Sequence, residues 1–206
     1  MKKFETDSKK IEEILMLDKI KDIHLALTKK SYLSALALSL TLPDICGKIE
    51  YPHFIDSKGN RKVGKQYATW FDNWVNQYFA DNTGWTKDYT KAKNPYFTGK
   101  MCYSLRCSFL HDGNSDIKNW GEKEDADFYY SYEFELAVGG ADSFGLSWAS
   151  QASNNSKIMK TKIVRVNIDK LCESICLAAE NYYRKKDPFL FKDHKINLID
   201  FNSFYN

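Results

Sequence analysis

A chain of 206 residues with 43% hydrophobic and 28% charged content is long enough to bury a sizeable core, and its composition excludes wholesale disorder. Thirty Lys+Arg against 27 Asp+Glu leave a net charge of +3, so bulk charge does not mark a nucleic-acid binder, although it leaves room for a local basic patch. No apolar run reaches membrane-span length, and acids follow the first lysines where a signal peptide needs an apolar stretch; a cytoplasmic protein is expected.

The first predicted element is a helix within residues 8–30, with Ile11, Ile14, Leu15, Ile20, Ile23 and Leu27 in helical periodicity and Asp7 or Ser8 as its cap. Tyr32–Leu42 is small and apolar on nearly all sides, which predicts a second helix, buried on most faces and ended or kinked by Pro43. Asp44-Ile45-Cys46-Gly47 then reads as a helix-exit or re-entry turn. Residues 50–65 form a polar connection with Pro52 and Gly59. Within it, Gly59 to Gln66 approaches the phosphate-loop pattern. Gln66 stands where that pattern needs a hydroxyl, and no strand precedes it, so a solvated basic loop is the better reading.

Tyr67, Trp70, Phe71, Trp74, Tyr78 and Phe79 recur at spacings of three and four, predicting an aromatic-faced core helix over 66–80 that ends at Asp81–Gly84. A loop carrying Lys87, Lys91 and Lys93 leads to a short helix, TGKMCYSLRCSFLHDG, with Thr98 as cap and Gly113 as stop. From Asp127 the period changes to two. Phe128 to Val138 predicts a strand, Gly139–Asp142 a hairpin turn, and Phe144, Leu146 and Trp148 a return strand. A polar loop at Gln151–Ser156 precedes a third strand at 158–168, so a small antiparallel sheet is expected. Asp169 can cap a last long helix closed by Pro188, and Phe189, Phe191, Ile196, Leu198, Ile199 and Phe201 give the 187–206 tail enough apolar surface to pack on the body or on a second chain. The five cysteines have no CxxC pair and read as buried apolar residues, so no metal or cofactor is assigned.

One constellation carries chemistry. Arg106 and His111 lie in an apolar helical turn, five positions and about 140° apart on an ideal helix, so they converge only if the last turn unwinds or both face a groove. A guanidinium there needs an acceptor: an internal carboxylate, with Asp44, Asp72 and Asp112 as candidates, or an external phosphate. Histidine can move a proton near neutral pH, and arginine can steady charge on a phosphate, which together suffice to cleave RNA through its own 2′-hydroxyl. His24, His53 and His194 read as surface or packing residues.

Arg106-Cys-Ser-Phe-Leu-His111 resembles the R-x4-H motif of the HEPN superfamily, and its helical context, SYLSALALSLTLPDICG at 31–47 followed by YATWFDNWV, is similar to small bacterial proteins of that kind. The resemblance spans roughly residues 8–113 and the helix from Asp169. It implies a mostly α, HEPN-like helical bundle in a single domain over 1–206, with 127–168 a β insertion, hence α+β overall. It further implies a metal-independent endoribonuclease of toxin or phage-defence type, a homodimer whose Arg106 and His111 meet at a dimer groove, RNA as substrate, and an antitoxin or other regulatory protein as partner. Cys107, Asp112, Asn114 and Asp44 are the supporting or substrate-binding candidates. The position after the arginine, polar in active members of the superfamily, is Cys107 here. The alternative is therefore a non-catalytic nucleic-acid- or protein-binding module.

Overall fold

Helix Ile168–Lys185 presents Leu171, Cys172, Ile175, Cys176, Ala178, Ala179 and Tyr182 to the interior, an apolar arc wide enough to be covered on several sides at once. The computed structural model describes residues 11–80, 95–117, 128–149 and 158–199. Within them the fold is mostly helical with a small mixed sheet, an α+β arrangement. In chain order the elements are β1 (Ile11–Ile14), α1 (Met16–Thr28), α2 (Tyr32–Ser39), α3 (Leu42–Glu50), α4 (Val63–Trp74), α5 (Gly99–Cys107), β2 (Phe128–Ala137), β3 (Ser143–Ala149), β4 (Ile158–Asn167), α6 (Ile168–Lys185) and β5 (Ile196–Ile199). Helices α1 to α4 all pack on α6. Trp70, Phe71, Phe79, Phe97 and Tyr182 fill the centre with edge-to-face ring contacts. Among the described residues no helix is long and apolar enough to cross a membrane.

Several expectations need correction. The expected first helix starts late: Ile11–Ile14 is a strand paired antiparallel with Ile196–Ile199, and α1 opens only where Asp18 accepts from Leu15 N at 3.1 Å. Pairing with the chain's far end overrides the helical period there, and it anchors the tail together with Phe191, buried against Tyr182 and Tyr183. Pro43 does not end a helix. It sits in the first turn of α3, where its missing N–H costs nothing, so Asp44 to Gly47 are helical and not a turn. Leu33 is exposed on α2, which is buried on one side only. Asn167, accepting from Lys170 N at 3.0 Å, caps α6 in place of Asp169.

The predicted hairpin is also opened. The sheet order is β2-β4-β3, with β4 parallel to β2 and antiparallel to β3, so β2 and β3 do not pair. A knot of polar contacts holds their connection elsewhere. Asp142 accepts from Asn167 N, Lys170 Nζ and Tyr96 Oη at 2.7, 2.7 and 2.6 Å, and Asn167 donates to Gly140 O. Phe97 stacks on Phe134 and joins the sheet to the helices. The caps at Asp7 and Ser8, the Asp81–Gly84 helix end, the Lys87–Lys93 loop, the Gln151–Ser156 loop and Phe201 lie outside the described residues.

Candidate active site

Helix α5 begins with two side-chain acceptors at its N-terminus. Thr98 Oγ1 takes Met101 N at 3.3 Å, and Asp72 of α4 takes Gly99 N at 2.7 Å. Met101, Cys102 and Leu105 bury one face, which turns Arg106 toward α3. After Cys107 the helix widens into a π turn, Ser108–Asp112, closed by Gly113 N donating to Ser108 O. Gly113 has φ +68°, a left-handed conformation that glycine takes without a Cβ penalty.

That turn decides the central geometric question. A π turn takes more residues per turn than an α-helix, so passing through it brings positions five apart closer in direction than the about 140° of an ideal α-helix. Arg106 Nη1 and His111 Nε2 accordingly meet at 2.9 Å. A guanidinium only donates, so this contact requires Nε2 to accept and places the imidazole proton on Nδ1. His111 is exposed, whereas the Arg106 side chain is 21% exposed.

Arg106 also donates through Nη2 to Asp44 Oδ2 at 3.2 Å, which identifies its carboxylate among the three candidates. Asp72 instead serves the start of α5, and burial raises its carboxyl pKa against the hydrogen bonds from Gly99 and Asn76. Arg106 Nε is buried and has no hydrogen-bond partner among the described residues.

Asp44 bridges a second arginine, with Oδ1 3.4 Å from Arg61 Nη2. Arg61 is itself held by a buried amide: its Nε donates to Gln66 Oε1 at 2.8 Å, and Gln66 Nε2 donates to Tyr51 O at 2.7 Å. The phosphate-loop lookalike is thus taken apart, with Gly64 to Gln66 inside α4 and Gln66 serving as a strut for Arg61. A cavity of about 240 Å³ lies beside this bridge. Among the described residues, Thr41 at the N-cap of α3 and Asp44, Ile45 and Lys48 within it form one wall of the cavity, and Arg61, Arg106 and His194 also line it.

Of the predicted supporting residues only Asp44 joins the pair. Cys107 lines a separate cleft of about 660 Å³ between α4 and α5, beside Tyr103. Asp112 is exposed at the end of the π turn, and Asn114 Oδ1 is spent accepting from Asp116 N at 3.0 Å. The other cysteines are buried, and burial pushes Cys172 and Cys176 up to about 11 and about 12. His24 is exposed on α1 and His53 lies edge-on to Phe54, both as expected. His194, expected as a surface or packing residue, is partly buried and lines the cavity. Sequence reasoning missed Lys48, Arg61 and His194. The i, i+3, i+4, i+7 spacing of Thr41, Asp44, Ile45 and Lys48 defines one helix face and points to Lys48, whereas no comparable signal marks Arg61 or His194.

No protein-family model matches this chain, and no curated protein or solved structure shows significant similarity to it.

Proposed function

We propose that this chain is a HEPN-like, metal-independent endoribonuclease that acts as a homodimer. The observation that carries the reading is the 2.9 Å contact of Arg106 Nη1 with His111 Nε2 at an exposed helix end. In this reading a scissile phosphate draws Arg106 Nη1 onto one of its oxygens, and His111 Nε2 is freed to take a proton. The 2′-hydroxyl gives that proton to Nε2 while its oxygen bonds to phosphorus. The bond from phosphorus to the 5′-oxygen breaks, and the proton passes to the departing oxygen. The products are a 2′,3′-cyclic phosphate and a free 5′-hydroxyl. Arg106 stabilises the charge that develops on the phosphate oxygens. A second copy would bring its own Arg106 and His111 to the same groove. Exposed Leu110 beside His111 supplies apolar surface for such a contact. Helices α1 to α6 form the HEPN-like bundle in this reading, and a regulatory protein of antitoxin type is the partner that restrains it.

Purified protein is incubated with mixed single-stranded RNA, with and without a chelator, beside Arg106→Ala and His111→Ala. Cleavage should persist in the chelator and fall by about 10²–10⁴-fold in each variant. Activity that disappears with the chelator, or that survives both substitutions, refutes the mechanism. A second reading rests on the partly buried Arg106–Asp44 pair, which ties α5 to α3 whatever the chemistry. It describes a non-catalytic binding module in which Arg106→Ala lowers the melting temperature and wild-type protein cuts no RNA.

A further inference from the structure

We infer that the cavity walled by Asp44, Lys48, Arg61, Arg106 and His194 seats the RNA phosphate next to the scissile one. This rests on the cleavage reading only for which phosphate Arg106 and His111 attack; the seat itself is argued from its own chemistry. Among the described lining residues three cations, Lys48, Arg61 and Arg106, stand beside one carboxylate, Asp44, an excess of two positive charges before His194 is counted. Lys48 makes no hydrogen bond or ion pair to any described residue. Arg61 is preorganised, because buried Gln66 fixes its Nε and leaves the fork of Nη donors directed at Asp44 and the space beside it. Two guanidiniums already bracket one anionic group in Asp44, the arrangement that arginines adopt around phosphate.

Size and lining narrow the ligand. At about 240 Å³ the cavity falls below the usual range for whole small-molecule ligands, roughly 300–1,000 Å³, and it suits a single phosphate group. Among the described residues no Phe, Tyr or Trp lines it, so they offer no platform on which a base could stack. Arg106 belongs both to this wall and to the His111 contact, which makes the two positions neighbours along one bound strand. His194 reports on the state of the seat. Burial, then Lys48 and Lys19, push its pKa down, Asp193 pulls it up, and Arg61 adds to the lowering. Asp44 and Arg106 face the same space. An anion placed among these cations would raise the His194 midpoint.

The test compares a dinucleoside monophosphate, which carries one phosphate, with a short single-stranded oligoribonucleotide. Both are bound to full-length protein carrying His111→Ala so that the RNA stays intact. Adding Lys48→Glu should weaken the oligonucleotide roughly tenfold more than the dinucleoside monophosphate. It should also flatten the oligonucleotide's salt dependence by about 0.7 in log–log slope for each phosphate that is no longer neutralised. In the same samples the oligonucleotide should raise the His194 NMR titration midpoint without Lys48→Glu and leave it in place with it. Equal weakening of both ligands, or of neither, overturns the subsite. A protein that cuts no RNA yet keeps the differential refutes the cleavage reading and leaves the phosphate seat standing. Cleavage without the differential does the reverse.

Discussion

Replacing Asp44 by Asn should move stability and RNA affinity in opposite directions. The substitution keeps the side chain's shape and removes the charge that bridges Arg61 Nη2 at 3.4 Å and Arg106 Nη2 at 3.2 Å. Exposed ion pairs contribute about 0–1 kcal/mol, and breaking a fully buried one costs about 3–5. The three side chains here are 24%, 36% and 21% exposed, which places the loss between those limits, at roughly 1–3 kcal/mol. For a domain of this size that lowers the melting temperature by about 2–12 °C. An RNA phosphate in the cavity would meanwhile lose a facing carboxylate. Unit charges about 4 Å apart interact by roughly 1 kcal/mol even at the dielectric of water, so affinity should rise about fivefold. Arg106 loses its anchor, so kcat should fall while KM also falls. Thermal melts and fluorescence anisotropy with single-stranded RNA at fixed salt read both quantities. RNA affinity that drops or stays constant would sink the anion-site argument, and an unchanged melting temperature would show that Asp44 ties nothing together.

Three further outcomes follow from the packing. Gly99→Ala should cost about 1–3 kcal/mol or more despite the better helix propensity of alanine, because a Cβ there would clash with the backbone oxygen of Ala68; a melt at or above the wild-type value would refute the close α4–α5 approach. Gly113→Ala should cost about 1–2 kcal/mol through its left-handed φ of +68° alone, since nothing lies within 4 Å of the added Cβ, and Gly113→Asn should cost less; equal stability of all three forms would count against the π turn. Burial raises the Asp72 pKa above its unfolded value, so the stability it contributes is fully present below about pH 3.9 and is lost as pH rises through the folded pKa. Asp72→Asn retains an oxygen for Gly99 N and Asn76 Nδ2, so urea midpoints should favour the variant increasingly as pH rises from about 4 to neutrality; a pH-independent difference would contradict the assignment.

What the sequence makes legible is what local periodicity controls. The aromatic stripe of α4, the two-residue alternation of β2 and the apolar arc of α6 are all readable because each is decided by which face is buried. Pairing partners are not readable in the same way. Ile11–Ile14 fits a helical period as well as a strand, and only Ile196–Ile199 decides between them. The Gly139-Gly140 turn suits a hairpin, but the longer Val138–Asp142 connection lets β4 enter between the arms. At the site, Arg106 and His111 stand out by composition, and Asp44 is one of three plausible acceptors. Their convergence depends on a π turn, for which the residue types from Ser108 to Asp112 carry no distinctive signature.

The position of Pro43 has the largest functional consequence, and it shows how the cavity is built. A proline in the first turn leaves α3 intact, so Asp44, Gly47 and Lys48 fall on one face at spacings of three and four. Gly47 lets that face approach α4 closely, since a Cβ there would lie 2.6 Å from the Gln66 carbonyl oxygen. The same Gln66 fixes Arg61 through its side chain, and Arg61 shares Asp44 with Arg106. The close α3–α4 crossing at Gly47 and the α4–α5 crossing at Gly99 therefore set where the two guanidiniums stand relative to one carboxylate. A glycine within a helix costs about 1 kcal/mol relative to alanine, and at position 47 it permits the close approach that sets Gln66, and through it Arg61, beside Asp44.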